Sequence, residues 1–123
     1  MGFEQFNLNS PARKRLWRAH RDEIEALLEQ INEEAFDGTG SIKSDYVSRF
    51  SGLAKPNLAL GPSTDLRGFI GICVSPKQED MLRVLASNDH TATRIDILPG
   101  ELRKAVEDAL RRWLSQPMYK PGR

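Results

Sequence analysis

Over the first third of the chain, apolar residues with one histidine among them recur at helical spacing. Leu16, His20, Ile24, Leu27, Ile31 and Ala35 follow at intervals of three or four, and Trp17 and Leu28 widen the stripe. This is the signature of a helix with one buried face. Ser10 suits the N-cap and Pro11 the first helical position. The run Asp37-Gly38-Thr39-Gly40-Ser41 ends the helix, since glycine accepts the left-handed backbone that closes helices. Such a helix has about 25 residues and a length of about 40 Å.

Beyond it the pattern shortens. Ile42, Ser44, Tyr46, Ser48 and Phe50 alternate as in a strand, but Ile42, Tyr46, Phe50 and Leu53 also suit a short helix. The helix is the reading preferred, with Ser44 as cap and Gly52 as stop. Pro56 and the turn Gly61-Pro62-Ser63-Thr64-Asp65 bracket a brief strand from Asn57 to Leu60. Gly68 to Val74 is the strongest strand, with Gly71 allowing close backbone approach. Ser75-Pro76 repeats the grammar of Ser10-Pro11. Gln78 completes a capping box and Glu79 and Asp80 fill the acidic first turn, which predicts a second helix with Met81, Leu82 and Leu85 inside and Asn88 at its end. Thr93 to Leu98 alternates Ile95 and Ile97 with Arg94 and Asp96, as a strand does. A last helix runs from about Pro99 to Ser115, with Leu102, Val106, Ala109, Leu110 and Trp113 facing in, and Pro117 stops it.

The order is helix, weak element, strand, strand, helix, strand, helix. The expected fold class is α+β: a small mixed sheet of about three to four strands, a long N-terminal helix, a right-handed strand–helix–strand crossover and a C-terminal helix. A chain of 123 residues fits one domain, with residues 1–9 as an N-terminal arm and 117–123 as a tail.

Composition narrows the setting. The hydrophobic share of 39% and charged share of 28% are those of a globular protein. A net charge of +1 means that any polyanion must be held by local clustering. Cys73 is the only cysteine, which excludes an intramolecular disulfide and a Cys-rich zinc site. No basic-then-apolar leader is read at the N-terminus. Gly2 lacks the Ser or Thr that myristoylation wants at position 6, which is Phe6. The longest apolar run, Phe69 to Val74, is too short to span a bilayer. The expectation is a cytoplasmic protein with no membrane contact.

Charge then singles out the first helix. Arg13, Lys14, Arg15, Arg18 and Arg21 occupy its first half, and Asp22, Glu23, Glu25, Glu29, Glu33 and Glu34 follow. The helix dipole favours the reverse order, at roughly 0.3–1 kcal/mol per charge near an end. The last helix obeys that rule, with Glu101 early and Arg111 and Arg112 late. Three readings of the first helix stand side by side. Its charges are merely solvated; or it pairs antiparallel with a copy of itself, Trp17, Ile24 and Ile31, with His20 and Leu27 between them, forming a seam; or its start captures an anion.

Chemistry is sparse. His20 and His90 have no partner at metal-ligand spacing, so no metal and no cofactor are expected. A Cys73–His90 nucleophile pair is the sharpest enzymatic idea, set against a buried structural cysteine. The segments Asp37 to Ser41 and Arg67 to Gly71 fail the phosphate-loop pattern. Met118 and Tyr119 either fold back beside Trp113 or anchor an interface.

The reading reached is a non-enzymatic binding or regulatory module that acts through protein–protein contacts and self-associates as a homo-oligomer. Its expected interface is Arg15, Trp17, Arg18, Arg21 and Ile24, with Tyr119. One alternative is a nucleic-acid or phosphorylated-ligand site at Arg13, Lys14, Arg15 and Arg18. Another is a small enzyme using Cys73 or His90.

Overall fold

A computed structural model describes residues 3, 6–46, 53–61, 68–87 and 92–115. The long helix forms where its stripe places it: α1 spans Pro11–Phe36. The Ser10 hydroxyl accepts from the Arg13 amide at 3.3 Å, satisfying one of the donors that a helix start leaves open. At the other end Asp37 turns left-handed at φ +53°. Asn32 then ties down the exit, accepting from the Gly40 amide at 2.8 Å and donating to the Gly40 carbonyl at 3.2 Å.

Five strands follow: β1 (Ser41–Ser44), β2 (Asn57–Gly61), β3 (Phe69–Val74), β4 (Leu82–Ser87) and β5 (Ala92–Ile97). They form one antiparallel meander in sequence order. A 3₁₀ turn at Pro99–Glu101 leads into α2 (Leu102–Ser115). The register puts Leu58 and Leu60, Ile70 and Ile72, and Val84 and Ala86 on one face. Against that face pack Ile24, Leu28 and Ile31 of α1 and Leu102, Val106 and Trp113 of α2, all in one buried cluster. α1 lies over β2 and β3, and α2 chiefly over β4. Each large apolar side chain so buried contributes about 1.5–3 kcal/mol.

The opposite face has a smaller core of Ala59, Phe69 and Leu85, covered by Tyr46 and Leu53. The Tyr46 ring meets Phe69 edge-on at 4.9 Å. Asn57, fully buried, fastens this cover: its side chain accepts from the Tyr46 amide and donates to the Tyr46 and Ala54 carbonyls, all within 3.0 Å. The Lys55–Pro56 peptide is cis.

Three expectations are corrected. The second helix does not form; its segment is a turn followed by β4. The Ser75 hydroxyl does accept from the Lys77 and Gln78 amides at 3.0 and 3.1 Å, as a cap would. The Ser75 amide, however, donates to the Met81 carbonyl and closes the turn. β4 is covered on both faces, by the helices at Leu82, Val84 and Ala86 and by Leu53 and Tyr46 at Leu85. A strand buried on both sides loses its polar alternation, and Leu82 and Leu85 then imitate helical spacing. Without that helix there is no parallel crossover, so the sheet is wholly antiparallel and has five strands. Ile42 belongs to β1, and Ser44 ends that strand without capping a helix; residues 47–52, including Phe50 and Gly52, lie outside the described residues. The α+β class stands. Among the described residues no helix is long and apolar enough to cross a membrane.

Candidate binding surfaces

The apolar stripe of α1 is committed to the core. Ile24, Leu27 and Ile31, expected as part of a seam between two copies, are buried within the monomer, and Trp17 is half-buried against the same cluster. Ile24 therefore serves the fold and leaves a partner only the polar outer face. On that face the Arg21 guanidinium is held by Glu25 at 3.3 Å and Asp22 at 3.7 Å. His20 Nδ1 lies 3.2 Å from Glu23.

The basic start of the helix divides in two. Arg13 points inward and is 1% exposed; its Nε donates to the Ser75 carbonyl at 2.9 Å and one Nη to the Asn7 carbonyl at 3.0 Å. It joins the helix start to the end of β3 and to the arm, so it is no part of an anion site at the surface. The signal for this was its position, one turn before Leu16 and Trp17 on the buried stripe. Lys14, Arg15 and Arg18 are exposed and make no ion pair among the described residues. Tyr119 and His90 lie outside the described residues.

The enzymatic candidate has a poor nucleophile. Cys73 is fully buried within β3. Burial pushes its thiol up to about 11, against the smaller opposing effects of a backbone hydrogen bond at Ala54 and of Arg83. At neutral pH it is therefore a thiol and not a thiolate. It sits in a row that crosses four strands on the far face: Asn57, Cys73, Arg83 and Asp96. Arg83 Nε donates to Asp96 at 2.7 Å and the Ser75 hydroxyl donates to the same carboxylate at 2.8 Å. Burial alone would raise the Asp96 pKa; the hydrogen bonds from Arg83 and Ser75, with the charges of Arg83 and Lys77, hold it below the usual carboxylate value. This row fastens the turn after β3 and the cover on the far face. Among the described residues no three His, Cys, Asp or Glu side chains gather to hold a metal.

One groove of about 220 Å³ runs between the helices, lined by Leu27, Ile31, Glu34, Val106 and Leu110 among others, and bridged where Arg103 donates to Gln30 at 2.9 Å. No protein-family model, no curated protein and no solved structure matches this chain.

Proposed function

We propose that the chain is a non-enzymatic binding module of regulatory type that acts through protein–protein contacts, the outer face of α1 being its docking surface. One observation carries this reading. On a helix whose apolar side is spent in the core, Lys14, Arg15 and Arg18 form an exposed basic band with no ion pair among the described residues, followed by an acidic band at Asp22, Glu23, Glu29 and Glu33. Banding of this kind directs encounter and sets register with a surface of complementary charge. A nucleic acid fits less well. Arg13 is withdrawn from the cluster, and the acidic band lies along the path of a long polyanion. A lone buried thiol suits a reducing compartment such as the cytoplasm.

A photo-crosslinking residue at Ala19, between the two bands, tests this in cells. Protein adducts that disappear in Arg15→Glu/Arg18→Glu, with an unchanged circular dichroism spectrum, support the reading. Nuclease-sensitive adducts, with a steep salt dependence of oligonucleotide binding, assign the face to nucleic acid instead. Adducts indifferent to the charge reversal sink it.

A further inference from the structure

The outer edge of β5 and the flank of α2 above it make a second surface, separate from the outer face of α1. The inner side of β5 pairs with β4 from Ala92 to Ile97, and among the described residues no strand pairs with its outer side. Proteins ordinarily guard such an edge with a bulge, a proline, a lysine or a very short strand. β5 has no bulge, proline or lysine: six residues run in unbroken register, its two charged side chains, Arg94 and Asp96, lie on the face away from the helices, and Ile95 is 52% exposed. The opposite edge, β1, has only four residues and carries Lys43.

Because α2 sits chiefly over β4 and covers β5 only in part, Ile97 is buried on the helix-facing side of β5 while Ile95 stays exposed there. Two shallow grooves follow the seam, and Ile95, Ala105 and Asp108 line both. Along the flank the exposed side chains Glu101, Lys104, Asp108 and Arg112 alternate in charge, Asp108 also accepting from Arg111 of its own helix at 3.2 Å. That series is its own complement when reversed. Antiparallel alignment sets Lys104 against Asp108 of a second copy and Glu101 against Arg112. The strand is compatible with the same rotation: turning about Ile95 places Ile95 on its own copy and Arg94 opposite Asp96, whose carboxylate Arg83 and Ser75 already hold, so the strand contributes backbone pairing and the Ile95 contact. Since Ile95 lies beside Ala105 and Asp108, one two-fold axis serves strand and helix together.

We propose that this chain forms a two-fold homodimer in which β5 pairs antiparallel with β5 of a second copy, fusing two sheets into one. The two α2 helices then lie about three strand spacings apart, about 14 Å. This is wider than the 8–10 Å or so of direct helix packing, and the paired Ile95 side chains and the long Lys104 and Arg112 fill the gap. The dimer uses none of the α1 face, so it stands or falls independently of the function proposed above.

Light scattering and sedimentation of the full chain, from about 1 μM to about 1 mM, should show a monomer–dimer equilibrium. Ile95→Lys should leave a folded monomer throughout. Lys104→Glu should weaken the dimer by about tenfold or more by facing like charges, and adding Asp108→Lys should restore it; the two residues are also i,i+4 neighbours on one helix, so the urea midpoint of the dilute monomer is measured alongside and should move far less than the dimer affinity. Opposed Cβ atoms in a strand pair are about 5 Å apart, so Ile95→Cys should give a covalent dimer on oxidation while Leu114→Cys does not. A wild-type chain that stays monomeric at the top of the range overturns the proposal. So does a dimer indifferent to both Ile95→Lys and Lys104→Glu, or one broken only by Arg15→Glu/Arg18→Glu.

Discussion

Arg13 and Arg18 lie on one helix and have opposite fates. Arg13 is bonded to two backbone carbonyls inside the protein, while Arg18 faces water. Side-chain type does not separate them; position relative to the stripe does. The same distinction governs Asp96, whose carboxylate is 18% exposed and paired with an Arg83 side chain that is 11% exposed. Its folded pKa is depressed, so it contributes stability above the unfolded value of about 3.9, and that contribution is lost as pH falls through the lower folded value. Asp96→Asn should cost about 1–3 kcal/mol at neutral pH, the range for charged hydrogen bonds. The gap from wild type in urea titrations should close as pH drops below about 4. A gap unchanged at low pH would falsify the assignment.

At the scale of elements, α1 keeps a charge order that costs it stability. No acidic residue stands in its first turn and no basic one in its last. Lys14→Glu and Glu34→Lys should each stabilise the fold by about 0.3–1 kcal/mol, seen as a raised urea midpoint, while Lys14→Glu weakens partner capture at Ala19. A chain that gains stability and keeps its partner would show that the order has no binding role. α1, α2 and β5 were legible in the sequence from a buried side set against an exposed one, and β2 and β3, though buried on both faces, from the prolines and glycines that bracket them. β4 was not, since Leu85 is buried on the face opposite Val84. Exposure of Arg15 and Arg18 could be read from periodicity. The inward turn of Ile24 could not, because an apolar stripe looks the same whether its own sheet or a second copy covers it. The open edge at β5 was equally hidden, since strand order is a property of the assembled sheet.

For the molecule as a whole, the sheet is a shared wall between a large core under the helices and a small one under Tyr46 and Leu53. Asn57 belongs to the wall and fastens the smaller side. Asn57→Ala leaves the Tyr46 amide and the Tyr46 and Ala54 carbonyls without their partner, at a cost of about 2–4 kcal/mol for several buried groups. Limited proteolysis should then cut between Asp45 and Pro56 well before the helices unfold. Simultaneous loss of both layers would show that the two cores are one cooperative unit. The meander itself carries a further consequence, which concerns time. Strands that neighbour one another in sequence zip up as they are made, but α1 must wait for β2 and β3 before its stripe has anything to cover. At about 5–20 residues per second of synthesis, that stripe stays uncovered for several seconds on the ribosome. In this interval a chaperone has its best purchase on the chain.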